Sequence, residues 1–361
     1  MRSRQDAFYM ARAIQLAKRG FYTTDPNPRV GCVLVRDDVI IGEGWHAKAG
    51  LAHAEVDALK NVQNAQGATA YVTLEPCSHH GKTPPCCDAL IAAGVSRVVA
   101  AMQDPNPLVS GKGLEKLKAA GIAVSCGVLQ DDAAGLNRGF IKRMTENRPF
   151  VRSKLAMSLD GRTAMASGES KWITSAAARA DVHRLRAESS AILTGINTVL
   201  TDDPALNARV DFDVVQPIRV VLDSVLNMPP TAQMAKLPGR SLILTCSPDE
   251  HKRQTLQAVG FEVHQLAANN GRLDLPAVMA FLAQQQINEL LVEAGSVLNG
   301  ALLAAGLVDE WVIYMAPCIL GDQGRGLFTV PGLQAMADKK SLTVRDVRQI
   351  GQDLKLTFTP Q

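Results

Sequence analysis

Apolar positions along the chain follow two rhythms. Phe8, Ala11, Ile14 and Ala17 recur every third residue, the spacing that lines one face of a helix, and the turn-rich string Thr24-Asp25-Pro26-Asn27-Pro28 follows them. Residues 30–35 are then an apolar run, as in a buried strand. Residues 39–42 predict a second strand, a helix begins near His53, and residues 70–74 predict a third strand. A helix starting near Pro85 is closed by Gly94, and a strand at 97–101, a helix at 113–120 and a short strand at 122–125 come after it. Strands alternating with helices predict a three-layer α/β sheet.

Residues 137–143 read as the end of a helix, and Asn147-Arg148-Pro149 breaks the pattern because the residue before proline is biased away from helix. A strand begins at once over 150–156, so we place a domain boundary here, with domains 1–146 and 147–361. The second domain alternates as well, with strands expected at 191–194, 218–222, 241–245, 289–293 and 310–316. A length of 361 residues suits two or three domains, and 47% hydrophobic against 20% charged residues supplies sizeable cores rather than a disordered chain. Aromatics are only 4%, so those cores rest on Ala, Val, Leu and Ile.

Charge removes further classes. Residues 1–148 hold 18 basic and 14 acidic side chains, or +4, and residues 149–361 hold 20 and 21, or −1. Neither domain has the basic excess of a polyanion binder, so no nucleic-acid partner is expected. Apolar stretches such as Ala301-Leu302-Leu303-Ala304-Ala305 stop well short of the roughly 18 residues of a membrane span. Arg2, Arg4, Arg12, Lys18 and Arg19 against Asp6 leave a transit peptide as an alternative to an amphipathic first helix; the helix is the better reading, and a cytoplasmic protein is expected.

Three of seven cysteines, Cys77, Cys86 and Cys87, crowd into eleven residues, which in a cytosolic chain points to metal or catalysis. His53-Ala54-Glu55, Pro76-Cys77 and Pro85-Cys86 supply one His and two Cys, good zinc ligands that leave a fourth position for water. Zinc lowers the pKa of such water, and a neighbouring carboxylate can carry its proton to a leaving amine; Glu55 is the candidate. His53 and Glu55 can share a site only at the irregular start of a helix, because a two-residue step on a regular helix turns about 200°. Cys86 follows Pro84-Pro85 at a second expected helix start, where the positive helix end favours a thiolate. Cys87 could instead close a purely structural site, although it points about 100° away from Cys86 on a helix. A buried small residue is the preferred reading for it.

These residues resemble the cytidine-deaminase-like zinc deaminases, whose usual signature is H-x-E with P-C-x-x-C. Here eight residues, not two, separate Cys77 from Cys86. The string Leu74-Glu75-Pro76-Cys77-Ser78-His79-His80-Gly81-Lys82-Thr83-Pro84-Pro85-Cys86 resembles one branch, the bifunctional riboflavin-biosynthesis deaminase/reductases, as do Pro26-Asn27-Pro28-Arg29-Val30-Gly31-Cys32, Gly44-Trp45-His46 and Gln103-Asp104-Pro105-Asn106-Pro107. The resemblance covers nearly the whole chain. It implies one zinc ion held by His53, Cys77 and Cys86, with substrate contacts from Asn27, His46, His79 and Lys82.

The second domain shows neither G-x-G-x-x-G nor a Walker string. Val292-Glu293-Ala294-Gly295-Ser296-Val297-Leu298-Asn299-Gly300-Ala301 reads as strand, glycine turn and helix start, which can hold a phosphate or be an ordinary tight turn. The family resemblance extends through Ser158-Leu159-Asp160-Gly161-Arg162-Thr163-Ala164, Ser170-Lys171-Trp172-Ile173-Thr174 and residues 195–204. It implies a dihydrofolate-reductase-like α/β domain that uses NADPH. Ala156, Trp172, Thr198, Asp202, Ser224 and Gly295, Ser296, Val297, Leu298, Asn299, Gly300 and Ala301 would contact the cofactor. Ser170, Arg186, Leu206, Arg209 and Glu293 would hold substrate, the two arginines suiting a sugar phosphate. Lys154 is placed nearby without a role, and no acid or base for the reduction is nominated.

The expectation is therefore a two-domain enzyme, a zinc-dependent deaminase followed by an NADPH-dependent reductase, acting on a diaminopyrimidinone ribosyl phosphate. A homo-oligomer is expected, with a dimer favoured. The rival readings are a tRNA deaminase, which calls for a basic groove and stacking aromatics, and a non-enzymatic zinc- and nucleotide-binding regulator, which has no need of Glu55.

Overall fold

The computed structural model describes residues 2–79, 84–107 and 109–361, with Arg2 and Ser3 as backbone only. The chain divides into two compact units, Met1–Asn147 and Arg148–Gln361. In the first, α1 (Arg2–Ala17) leads to β1 (Gly31–Arg36) and β2 (Val39–Trp45), then α2 (Ala54–Leu59), β3 (Thr69–Val72), α3 (Cys86–Ala92), β4 (Arg97–Ala100), α4 (Lys112–Ala119), β5 (Ala123–Cys126), α5 (Gln130–Leu136) and α6 (Arg138–Glu146). The strands form one sheet in the order β2-β1-β3-β4-β5. β1 runs antiparallel to both neighbours, and β3, β4 and β5 are mutually parallel.

The apolar run at β1 resolves into two alternating faces. Val33 and Val35 pack with Met10, Ala13 and Leu16 of α1 and with Ala133 and Leu136 of α5. Cys32 and Leu34 pack on the other side with Ala54 and Ala58 of α2, Leu90 of α3 and Leu117 of α4. A strand covered on both faces has no polar side, which is why its sequence shows no alternation. The helices approach closely where the sheet has no side chain. A Cβ on Gly31 would lie 2.0 Å from the Ala13 carbonyl oxygen, and one on Gly44 would lie 2.3 Å from the Ala58 nitrogen and 2.4 Å from the Ala54 oxygen.

The second unit contains β6 (Phe150–Ser158), β7 (Arg162–Ala164), α7 (Ala176–Ala187), β8 (Ala191–Gly195), α8 (Ile196–Asp202), β9 (Ile218–Leu222), β10 (Ser241–Thr245), α9 (Glu250–Ala258), β11 (Glu262–Gln265), β12 (Ala268–Asn269), β13 (Arg272–Leu273), α10 (Leu275–Gln284), β14 (Glu289–Val292), α11 (Ser296–Ala304), β15 (Glu310–Ala316), β16 (Arg325–Gly326), β17 (Leu342–Ile350) and β18 (Asp353–Pro360). Its main sheet runs β11-β10-β9-β8-β14-β6-β15-β18-β17 among the described residues. The strands from β11 to β15 are parallel, and β18 and β17 close the far edge as an antiparallel hairpin. Ala191 and Leu193 of β8 face α10 and α11, whereas Ile192 between them faces α7, α8 and α9. Both faces are covered, as a parallel sheet requires.

Two local differences from the sequence reading have clear causes. Residues 137–143 lie within and just before α6 rather than at a helix end. The buried Asn137 side chain accepts the Arg29 N–H at 2.7 Å and donates to the Arg29 carbonyl at 2.9 Å, and this exchange interrupts the helical path between α5 and α6. The β17–β18 hairpin was not anticipated, because most side chains of β17 are exposed on a rim strand and leave no apolar run. Among the described residues no helix is long and apolar enough to cross a membrane.

Gly44→Ala is expected to push α2 off β2 and destabilise the protein by about 1–3 kcal/mol. A chemical-denaturation midpoint equal to that of the parent chain would show that the helix can yield without loss.

Candidate active sites

His53 is the N-cap of α2, with extended backbone (φ −73°, ψ 163°), and Glu55 lies inside the first turn. That break in helical geometry lets both side chains reach one point. Cys86 is the first residue of α3, after the Pro85 cap, and Cys77 follows the end of β3. His53 Nδ1 lies 3.3 Å from Cys86 Sγ and 3.6 Å from Cys77 Sγ, and the Cys86 N–H donates to Cys77 Sγ at 3.3 Å. All three ligand atoms lie within 4.8 Å of one another. Zn–N of about 2.05 Å and Zn–S of about 2.3 Å give a tetrahedral N···S edge of roughly 3.6 Å, so the donor set fits zinc.

The surroundings suit that chemistry. Hydrogen bonds from Cys86 and His53 favour the thiolate at Cys77 against the opposing effect of burial. Glu55 is buried, and burial, reinforced by the Cys77 charge, pushes its carboxyl up to about 7 despite its own backbone N–H and His53. Cys87 faces elsewhere: it is buried and its thiol donates to the Pro76 carbonyl at 3.2 Å.

His46 Nδ1 is 3.0 Å from the Ala52 carbonyl oxygen, which can only accept, so Nδ1 carries the hydrogen. Nε2 then accepts from Asn27 Nδ2 at 3.0 Å, and the Asn27 side-chain oxygen is turned away from the imidazole. Burial lowers the His46 pKa, and its ring meets His53 edge to face at 5.3 Å. Asn27, His46 and the three metal-type donors therefore share one region. His79 is exposed; its charge opposes the burial that raises Asp104 to about 6. Lys82, with His80, Gly81 and Thr83, lies outside the described residues.

Sequence reasoning missed Glu75. Its buried carboxylate accepts backbone N–H groups from Asp104 (3.1 Å) and Gly111 (2.9 Å) on one oxygen and Gly113 (2.8 Å) and Leu114 (3.3 Å) on the other. The chain segment after β4 is thereby tied to the strand end that carries Cys77. Four main-chain donors leave no side-chain signature; only the place of Glu75 beside Pro76-Cys77 hinted at it.

In the second unit the residues of interest lie at or beyond the carboxyl ends of adjacent parallel strands, where open α/β sheets bind ligands. Ser224 follows β9, Thr198 and Asp202 lie on α8 after β8, and Glu293 and Gly295 follow β14. Ala156 is near the end of β6. Gly295 caps α11, leaving Ser296 and Val297 in its first turn; Val297 is exposed. Leu298 and Ala301 follow on the same helix. Asn299 is wholly buried, donates to the Ala294 carbonyl at 2.8 Å and accepts from Ser153 at 2.6 Å. A Cβ on Gly300 would lie 2.0 Å from the Thr329 oxygen, so Asn299 holds the turn while Gly300 lets the Thr329 backbone approach the helix. Trp172 is 70% exposed with the Arg179 guanidinium 4.5 Å above its ring, and Asp202 pairs with Lys171 at 2.8 Å. Ser170 lies on the loop before α7.

Arg186 binds Glu293 through Nε at 2.6 Å and Nη2 at 2.9 Å, and its Nη1 donates to the Asn207 carbonyl at 3.2 Å. Arg209 is exposed and donates to Asn207 Oδ1 at 3.0 Å, so Asn207, another residue missed in the sequence, joins the two arginines. Lys154 feels both members of the pair: burial and Arg186 lower its pKa, and Glu293 opposes them. Leu206 is only 2% exposed and packs in the core.

The first unit thus carries the donor set and buried carboxylate of a zinc deaminase, and the second gathers the expected residues at the ends of its parallel strands. The model of the cytidine and deoxycytidylate deaminase zinc-binding region matches residues 3–102, and that of the RibD C-terminal domain matches residues 149–356. The riboflavin biosynthesis protein RibD of Escherichia coli (strain K12) is 52% identical, the match covering 98% of each chain. A solved Acinetobacter baumannii RibD superimposes with a TM-score of 0.94 at 47% identity over 100% of both chains. A Thermotoga maritima diaminohydroxyphosphoribosylaminopyrimidine deaminase/5-amino-6-(5-phosphoribosylamino)uracil reductase does so with a TM-score of 0.87 at 34% identity, again over 100% of both. The chain belongs to the RibD family. It is a bifunctional deaminase and reductase of riboflavin biosynthesis, with a cytidine-deaminase-like N-terminal domain and a reductase C-terminal domain.

Glu75→Gln replaces one acceptor oxygen by a donor and strands two of four buried N–H groups. A loss of about 1–3 kcal/mol of stability is expected; an unchanged denaturation midpoint would deny the carboxylate its anchoring role.

Proposed function

We propose that the chain deaminates 2,5-diamino-6-(5-phosphoribosylamino)pyrimidin-4(3H)-one and then reduces the ribosyl group of the product to ribityl with NADPH. The observation that carries the first step is the meeting of His53, Cys77, Cys86 and the buried Glu55 at two helix starts. His53 Nδ1, Cys77 Sγ and Cys86 Sγ would hold one zinc ion, which supplies Lewis-acid activation of water when bound. Glu55, its pKa raised to about 7, is suited to take a proton from attacking water and return it to the leaving amine. A C–O bond forms, the C–N bond breaks and ammonia departs. Asn27 and His46 line the base or sugar pocket, and His79 and Lys82 serve the ribosyl phosphate.

For the reduction, NADPH supplies the reducing equivalents, and the protein orients it against the sugar carbon. Trp172, Ala156, Thr198, Asp202, Ser224 and the turn from Gly295 to Ala301 are assigned to the cofactor. Ser170, Arg186, Leu206, Arg209 and Glu293 are assigned to substrate. Because Arg186 commits two nitrogens to Glu293, Arg209 is the more available arm for phosphate. The same reading has the enzyme working as a homodimer in the cytoplasm.

The test follows ammonia release and NADPH oxidation separately on the diaminopyrimidinone ribosyl phosphate. Glu55→Gln should lower ammonia release about 10²–10⁴-fold while NADPH oxidation on pre-deaminated substrate continues; persisting deamination overturns the assignment. Cys77→Ala should empty the zinc site by metal analysis, and undiminished zinc would refute the ligand set.

A further inference from the structure

We propose that His183 is a positioning residue of the reductase unit, holding the loop that presents Arg209 to a phosphorylated substrate. The proposal rests on the reading of Arg209 as the phosphate-binding arm. His183 and Arg186 stand three residues apart on α7, so their side chains leave the same face of the helix. From that face they grip one loop at two points. Arg186 Nη1 donates to the Asn207 carbonyl at 3.2 Å, and His183 Nδ1 accepts the backbone N–H of Arg209 at 3.2 Å.

The residue between these points is held from the other side. Gln216 Oε1 accepts the Ala208 N–H at 3.0 Å, and Gln216 Nε2 donates to the Ala208 carbonyl at 2.9 Å. Leu206 buries its side chain in the core, with left-handed backbone at φ 43°. Asn207, Ala208 and Arg209 are thus each fixed by a main-chain hydrogen bond, and the Arg209 guanidinium is further tied to Asn207 Oδ1 at 3.0 Å. What the loop leaves exposed is a cation whose backbone is held still. Such preorganisation reduces the ordering cost of binding an anion.

Accepting an N–H requires an imidazole nitrogen without a proton. Burial first, and then the charges of Arg186 and Arg209, push the His183 pKa down to about 4, against weaker opposition from Glu293 and the Asn207 backbone. The ring is therefore a neutral acceptor at ordinary pH.

The test compares His183→Leu, which has no acceptor, with His183→Asn, whose Oδ1 stands on the γ-carbon as the imidazole Nδ1 does. Steady-state reduction is followed with the deaminated ribosyl phosphate and with its dephosphorylated counterpart, and ammonia release in the same chain is the control for an intact first unit. His183→Leu should raise KM for the phosphorylated substrate about 5–10-fold, the loss of one hydrogen bond, with kcat within about twofold. His183→Asn should recover most of that KM, and the dephosphorylated substrate should not distinguish the variants. Arg209→Ala should raise the same KM at least as much as His183→Leu. A raised KM in Arg209→Ala with an unchanged one in His183→Leu overturns the proposal alone. An unchanged KM in Arg209→Ala overturns the phosphate reading and the proposal with it. A fall in kcat common to both His183 variants, or an equal KM shift for the dephosphorylated substrate, marks a merely structural histidine and overturns the proposal too.

Discussion

Two side chains separated by one residue diverge by about 200° on a regular helix, and the proposed deaminase site needs both of them at one point. The extended backbone of His53 at the start of α2 satisfies that requirement, because the imidazole is set before helical geometry begins and Glu55 after it. Much else in the first unit serves this one discontinuity. α2 must end its approach against β2 with backbone nearly touching backbone, hence Gly44. α3 must begin at Cys86 so that its first side chain faces back toward His53. The loop after β3 must deliver Cys77 to the same place, and Glu75, two residues earlier, anchors it through four main-chain donors.

The metal-type cluster was legible because its residue types are uncommon and their chemistry leaves few alternatives once a His, two Cys and a carboxylate recur near proline and glycine. The alternating α/β order was legible for a related reason: the buried strands are too apolar to be loops. Elements that face water on a sheet rim were not legible, and β17 is the example, since its exposed Val344, Arg345, Val347 and Arg348 carry no burial signal. Residues acting through the main chain were also invisible. Glu75 and His183 accept backbone N–H groups distant in sequence, and Asn207 offers its own carbonyl to Arg186, so no spacing rule announces them. Leu206 shows the converse, since a position drawn from family resemblance proves to have a core side chain.

The reductase unit carries weaker sequence signals because the residues proposed for its site lie at separate strand ends. The residues proposed for it lie one or two to a strand, and the glycine turn before α11 is held by the Asn299 side chain rather than by any feature that would identify a nucleotide. Its electrostatics follow the same economy. Arg186 and Glu293 form an ion pair, and both act on buried Lys154 and on His183, which also feels Arg209.

His46 carries a consequence of a different kind. Its tautomer is dictated by the Ala52 carbonyl, an atom that every amino acid at that position would supply. The imidazole in turn dictates which end of the Asn27 amide it receives. The donor and acceptor pattern around His46 and Asn27 is therefore written partly in main chain. Drift at residue 52 can change size and shape there without reversing that polarity.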